Sequence, residues 1–351
     1  MRVLFVAAGP PTLAASRTRV FQYLPALHMA GVDAHAIQFF PYQMLGFLER
    51  KGTPRFAAQA FTALRAAWLA TIADRFDLVV WQRVLLPPKL LSLVRRQSRR
   101  LIFDVDDALY APSPETVDPS AQIKNARRFD RTAAVSDAVI ASTAAIAAHA
   151  RRVQPVTFQL LSPVDTERFK PTPRRQTRSP VIGWIGSPST GVYLQPLLPT
   201  LSDLIRRRSV RVVLVGSDLS NLPPGIEQRP WSLRREVRYL AGMDIGLMPL
   251  DGNEWSHAKG GYKTLQYHAA GATSVASAVG AACEIIQHGE NGLLVHEPEA
   301  WTSTLTRLID DQRLREELAQ RARQTVVERH SLRASAPRLI GVLQTVLAGS
   351  T

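Results

Sequence analysis

Short, largely apolar runs alternate along this chain with longer amphipathic stretches. The first run, Met1–Ala8, ends at Gly9-Pro10-Pro11. Ser16 then stands where the N-cap of a helix through Val20, Phe21, Leu24 and Leu27 to Gly31 is expected. Val32–Phe40, Asp77–Trp81, Arg100–Phe103 and Ala133–Ser142 read as further strands. Helical patterns lie between them at 41–73 and Leu90–Arg96, and an alanine-rich helix runs on to about Arg152. Apolar runs without alternation belong to strands buried on both faces, and strand-helix repetition indicates a parallel sheet. After Pro171–Pro180, rich in Pro, Arg, Thr and Ser, the pattern begins again. Strands are expected at Val181–Ile185, Val210–Val215, Ile245–Leu250, Thr273–Ser277 and Gly292–Val295. Helices are expected at Tyr193–Arg207, Leu233–Leu240, Tyr262–Ala270 and Cys283–His288. Two polar helices within Glu297–Arg329 and an apolar-faced helix at Ala334–Leu347 follow. The fold class is therefore α/β, with two doubly wound parallel-sheet domains at 1–170 and 181–330, a linker at 171–180 and a final helical segment at 331–351.

At 351 residues the chain is long for one core and suits two domains. A hydrophobic content of 46% with 21% charged residues is ordinary for a soluble globular protein. Cys283 is the single cysteine and has no internal disulfide partner; a buried or half-buried thiol in a reducing compartment is expected. No apolar run is expected to span a bilayer, and no signal peptide is expected, since the first residues read as a strand. The apolar positions of 41–73, including Phe47, Phe56, Phe61, Leu64, Trp68 and Leu69, are expected mostly in the core. The net charge of +14 comes largely from dispersed arginines, among them Arg174, Arg175, Arg178, Arg234, Arg235 and Arg238. Solvated helix faces are the first reading of these clusters, attraction to an anionic membrane the second, and nucleic acid the third. No nucleic-acid module supports the last.

Candidate chemistry gathers in loops that follow strand ends. Gly186-Ser187-Pro188-Ser189-Thr190 places a glycine and hydroxyls before a helix, a reasonable cradle for a pyrophosphate. The loops Asp251–Gly261 and Val279–Ala282 each open a helix as well. Lys259 and Lys263 supply positive charge there, or are surface lysines. Gly9–Arg19 is not a G-x-G-x-x-G fingerprint, but Arg17 and Arg19 offer guanidinium forks to a phosphate or carboxylate, or decorate a solvated turn. Asp104, Asp106 and Asp107 invite a metal reading, yet no second cluster has ligand spacing. They otherwise read as ligand-facing residues or as loop and cap structure. Pro112–Ser120 is a proline-rich loop long enough for a mobile segment, and Trp231 reads as a core residue or a helix staple.

The stretch Asp244–Val295, with Gln266-Tyr267-His268-Ala269-Ala270-Gly271 at its helix, resembles the nucleotide-sugar half of the retaining GT-B glycosyltransferases of the large family four. Ser16-Arg17-Thr18-Arg19, Asp104–Asp107 and Gly186–Thr190 match the S-R-x-R, D-x-D-D and G-S-P-S-T forms of one subgroup. Leu160–Asp165 with Phe169 and Pro171 resembles the signature closing the first domain, with Ser162 in place of an asparagine. Gln266 stands where a glutamate would hold the ribose hydroxyls, and Ala258 where a first acidic residue is counted. The resemblance implies two Rossmann-like domains facing a cleft, with a C-terminal helix packing back on the first domain. It implies sugar transfer from a nucleotide-diphosphate sugar with retention, needing no metal and no cofactor beyond that co-substrate. Gly186, Ser187, Ser189, Thr190, Lys259, Lys263, Gln266 and Glu284 would bind the donor. Asp106, Asp107 and Lys263 would serve the chemistry, and Arg17 and Arg19 the acceptor or an anion. The partners implied are the donor, a glycan or lipid-linked acceptor and an anionic membrane surface, with no nucleic acid. The setting is cytoplasmic or peripheral at the inner membrane face, in cell-surface polysaccharide assembly. Three rivals stay open: a binding protein of this fold with little turnover, a nucleotide-sugar epimerase, and a nucleic-acid-binding module.

Overall fold

A computed structural model of the chain describes residues 1–42, 55–114, 119–172 and 179–349. Phe47, linker positions 173–178 with Arg174, Arg175 and Arg178, and positions 115–118 of the proline-rich loop lie outside them. The chain forms two compact units, one from Met1–Ser113, Asp118–Ser162 and Ser335–Thr351, the other mainly from Pro163–Ala334. The segment 163–170, expected to close the first domain, thus groups with the second unit. Hydrogen bonds explain this: Val164 bridges to Ser331, and the Arg323 guanidinium donates to the carbonyls of Thr166, Phe169 and Ala269 at 3.0, 2.8 and 2.6 Å.

The first unit holds a six-stranded sheet with neighbours in the order β2-β1-β3-β4-β5-β6. Its strands are β1 (Arg2–Ala7), β2 (Asp33–Gln38), β3 (Leu78–Gln82), β4 (Leu101–Val105), β5 (Ala138–Ala141) and β6 (Thr157–Gln159). All pairs are parallel, and β3, β4 and β5 are buried along their whole length, as apolar runs without alternation require. Ser16 does not cap a helix. The first helix is Ala14–Arg19, and the Ser16 hydroxyl instead accepts the Gly9 N–H at 3.0 Å. The expected strand Ala133–Ser142 is also shorter, because the helix Pro119–Val135 continues through its first residues. β6, a three-residue strand with no fully buried position, gave no periodic signal.

Helix Arg55–Ala73 buries Ala66, Leu69, Ala70 and Ala73 and leaves Phe56, Leu64 and Trp68 at 72, 72 and 43% exposure. These three are therefore not core residues, whereas Phe61 stacks on Phe40 with ring centroids 6.0 Å apart. Phe56–Ala73 is also long and apolar enough to cross a membrane, with 22% of it buried, which corrects the expectation that no run reaches that length. Alanines make it apolar while filling little space, so its outer face is not covered within the unit.

The second unit holds β7 (Val181–Ile185), β8 (Arg211–Val215), β9 (Ile226–Arg229), β10 (Ile245–Met248), β11 (Thr273–Ser277) and β12 (Leu293–Val295). They lie in the order β12-β11-β10-β7-β8-β9, the doubly wound order in which the chain moves outward from β7 one way and then from β10 the other. β9 (IEQR) is polar and half-exposed at the sheet edge, so no apolar run announced it. The helix expected at Tyr193–Arg207 divides into a 3₁₀ segment, Pro188–Leu197, and an α-helix, Leu198–Arg207. Pro196 lacks the N–H that a continuous α-helix would use there. Ile182, Trp184, Leu201, Leu214, Leu247 and Leu305 belong to one buried cluster beneath the sheet.

β7 and β10 pair at only two positions, Ile182 with Ile245 and Gly183 with Gly246. Beyond them the Tyr267 hydroxyl stands between the strands. It accepts the Ile185 N–H at 3.2 Å and donates to the Leu247 carbonyl at 3.0 Å. Its ring lies flat against Gly246, where a β-carbon would enter the ring. Burial pushes the phenol above its usual range, which keeps the hydroxyl able both to donate and to accept. Gly246→Ala is expected to lower stability by about 1–3 kcal/mol through overpacking, read as a fall in the urea midpoint at unchanged slope; an unchanged midpoint would show that Tyr267 can shift freely.

Candidate functional site

Open α/β sheets bind ligands beyond the carboxyl ends of their strands, at the point where strand order reverses. In the second unit that point lies between β7 and β10, held apart by Tyr267. Gly186 leaves β7 with its N–H on the Val215 carbonyl at 3.0 Å. A side chain on Gly186 would strike the Trp184 ring and the Thr190 hydroxyl, so the close approach requires glycine. Ser187, Ser189 and Thr190 then form a knot of hydroxyls. Thr190 Oγ1 accepts the Ser187 N–H at 3.2 Å and donates to the Ser187 carbonyl at 2.9 Å, and the Ser187 and Ser189 hydroxyls lie 3.0 Å apart.

Lys263 reaches this knot from the helix Tyr262–Ala269. Its ammonium donates to Thr190 Oγ1 at 3.4 Å and lies 5.0 Å from the centre of the Trp184 ring. The helix begins at Gly261, whose φ of 62° is left-handed. Lys259 lies 4.8 Å from the centre of the Trp255 ring, on a different aromatic support. The loops after β10 and β11 meet at Gly280, where a β-carbon would collide with the His257 carbonyl. Glu284 is exposed on the four-residue helix Ala282–Ile285. Cys283 is exposed beside it, contrary to the buried or half-buried thiol expected, because so short a helix turns only Ala282 and Ile285 inward.

Gln266 has surroundings the sequence did not disclose. It is 4% exposed, and its amide nitrogen donates to Glu236 at 2.9 Å. The other oxygen of Glu236 accepts from Arg168 at 2.9 Å, and the same guanidinium donates to the Leu233 carbonyl. The Gln266 amide nitrogen is thus engaged by a carboxylate rather than presented to a diol. Ala258 is fully buried. Nothing in the sequence singled out Glu236 or Arg168, since they lie 68 positions apart and only the fold brings 168, 236 and 266 together.

The first unit has its own charged cluster at the ends of β3 and β4. Arg19 forms a two-pronged pair with Asp104, Nε to Oδ1 at 3.0 Å and Nη2 to Oδ2 at 2.6 Å, and Nη1 donates to the Leu160 carbonyl at 2.5 Å. Side-chain exposures of 1 and 4% make this an interior pair. Arg17 is also buried, and its Nη1 donates to the carbonyls of Pro11 and Thr12. Neither arginine projects from a solvated turn, and Arg19 is placed to hold the fold rather than to receive an anion.

Arg83 carries what the sequence reading passed over. Its φ of 61° is left-handed, rare for a residue with a long side chain. Its backbone N–H donates to the Asp104 carbonyl at 3.0 Å. Its guanidinium meets Asp107 at 2.8 Å and Asp106 at 3.4 Å. Burial pushes the Asp106 carboxyl above its usual range; Arg83 opposes the shift and Asp107 adds to it. Among the described residues no three His, Cys, Asp or Glu side chains gather as a metal site, and all three aspartates here are turned toward arginines.

Comparison with known proteins adds to this geometry. Residues 179–311, which carry β7 to β12, match the family described as Glycosyl transferases group 1. No curated protein matches the sequence. The fold matches HepE of Anabaena, in a structure with UDP and glucose, at a TM-score of 0.74 and 18% identity, over 98% of this chain and all of that one. It also matches sucrose-phosphate synthase of Thermosynechococcus elongatus at 0.72 and 15% identity, over 99% of this chain and all of that one. A glycosyltransferase from Rickettsia africae gives 0.72 and 15% over 99 and 98% of the two chains. The chain therefore has the two parallel-sheet, Rossmann-like domains of GT-B structures.

Asp104→Asn is expected to lower stability by about 3–5 kcal/mol, because it leaves the Arg19 charge buried without its counter-charge. Urea unfolding followed by circular dichroism measures this, and a loss below about 1 kcal/mol would place the pair among surface-like ion pairs.

Proposed function

We propose that the protein is a glycosyltransferase that takes a sugar from a nucleotide-diphosphate sugar. The observation that carries this reading is the Lys263 ammonium over the Thr190 hydroxyl, beyond Gly186 at the strand reversal, within the segment that matches the glycosyltransferase family. Backbone and hydroxyl donors with one ammonium suit a diphosphate, whose charge grows as the sugar leaves. Lys263 would stabilise that leaving group, and Ser187, Ser189 and Thr190 would orient it. Structures of HepE with UDP-glucose make this sugar nucleotide the first to try. Retention of configuration, independence from metal and a glycan or lipid-linked acceptor complete the proposal. Asp106, Asp107 and Arg83 are its candidate groups in the first unit.

Thermal shift against UDP-, GDP-, TDP- and ADP-linked sugars identifies the donor, since a ligand of the folded state raises its stability. Lys263→Ala is expected to weaken that donor at least about tenfold, or 1.4 kcal/mol, and to slow transfer. Unchanged affinity and transfer would refute the assignment. A second reading, a nucleotide-sugar-binding protein with little turnover, draws on buried Ala258 and on the Gln266 amide held by Glu236. Donor binding with no transfer to any acceptor in a membrane extract would favour it.

We also propose peripheral attachment to an anionic membrane, supported by the exposed Phe56, Leu64 and Trp68 and by the net charge of +14. Leu64→Ser/Trp68→Ser is expected to reduce co-sedimentation with phosphatidylglycerol vesicles about tenfold or more, given roughly 1.5–3 kcal/mol for each large apolar side chain removed from water. Sedimentation equal to that of the unaltered protein would remove the membrane from the proposal.

A further inference from the structure

Side chains alternate along a strand, so the sheet of the second unit shows a different character on each face. Val212, Leu214 and Ile226 pack in or against the core cluster. Their neighbours Arg211, Val213, Glu227 and Arg229 belong to the opposite face, which borders a cavity of about 510 Å³. Parallel sheets are ordinarily covered on both faces. Here the far wall of the cavity carries Arg235 and Arg238, at the start of and within the short helix Glu236–Ala241.

Four arginines and one glutamate line this space, a net excess of three positive charges. Glu227 is already answered on both oxygens. Arg211 donates to Oε1 at 3.1 and 2.6 Å, and Arg229 donates to Oε2 at 2.6 Å. These bonds hold its carboxyl below the usual range. Arg235 and Arg238 have no carboxylate partner among the described residues. Two guanidinium forks brought to one cavity, with no internal counter-charge, suit phosphate oxygens. The volume falls in the range of small-molecule sites and exceeds what a lone phosphate fills.

The cavity is distinct from the site at Gly186. It is bordered by Val181 and Arg211, the first residues of β7 and β8, whereas Gly186 follows the end of β7. A five-residue strand separates the two by roughly 15 Å at about 3.3 Å per residue. We infer that this cavity is a second anion site, which binds a phosphate-bearing small molecule through Arg235 and Arg238. The inference goes beyond the proposed transferase reaction and does not depend on it.

Calorimetric titration of the full chain with inorganic pyrophosphate tests it. The Lys263→Ala protein, altered outside the cavity, is expected to bind pyrophosphate. Adding Arg235→Gln/Arg238→Gln should then weaken binding at least about tenfold, while Arg235→Lys/Arg238→Lys keeps most of it. The glutamine variant should retain the urea midpoint of the unaltered chain, since both positions are exposed. Phosphatidic acid vesicles form the second arm. Binding to them that is lost with the two arginines, without pyrophosphate binding, would place the phosphate on a lipid headgroup. Equal affinity with and without the two arginines, loss of pyrophosphate binding on Lys263→Ala with no vesicle binding, or no binding of either probe would overturn the second site.

Discussion

The second unit depends on one tyrosine hydroxyl. Two parallel strands that part after two paired positions leave an N–H and a carbonyl facing each other across a widening gap. Buried and unpaired, those groups would cost free energy comparable to a lost hydrogen bond each. Tyr267 satisfies both, and its ring fits only because Gly246 has no side chain. The consequence for function is positional. The parting of β7 from β10 is the feature that opens an α/β sheet to a ligand, and the helix that carries Tyr267 also carries Lys263. Closing the core and aiming the ammonium are therefore one local arrangement.

A second theme is the use of arginine. The chain has far more basic than acidic residues, yet several of its guanidiniums are tied to the fold. Arg19 locks β4 through Asp104, and Arg323 gathers three carbonyls around the segment 163–170. Arg168 neutralises the buried Glu236. Each replaces water around a buried polar group with a fork of fixed geometry. The strongly positive balance thus divides into arginines that hold the fold and others, such as Arg235 and Arg238, that face open space.

Arg83 shows how a functional candidate can hide in a sequence. Nothing in its neighbours marks a left-handed backbone at that position, and a long side chain there is held by surrounding contacts rather than by preference. Its backbone N–H on the Asp104 carbonyl and its guanidinium between Asp106 and Asp107 supply those contacts. The D-x-D-D run was legible as a charged loop. Its division into one interior carboxylate bound to Arg19 and two bound to Arg83 was not.

What the sequence determined by itself was the architecture. Strands buried on both faces favour apolar, small and β-branched residues without alternation, so Val181–Ile185 and Thr273–Ser277 were legible to the residue, and the hydroxyl-rich turn at Gly186–Thr190 was legible as a strand-to-helix loop. Elements that draw stability from neighbours rather than from their own pattern were not legible, as with polar β9 and three-residue β6. Only the tertiary structure decided which charges are interior, because pairing joins positions far apart in the chain: Arg19 with Asp104, Arg168 with Glu236, and Glu236 with Gln266. It also decided that Phe56, Leu64 and Trp68 face outward, since helical periodicity shows that an apolar stripe exists and only packing shows which stripe is covered.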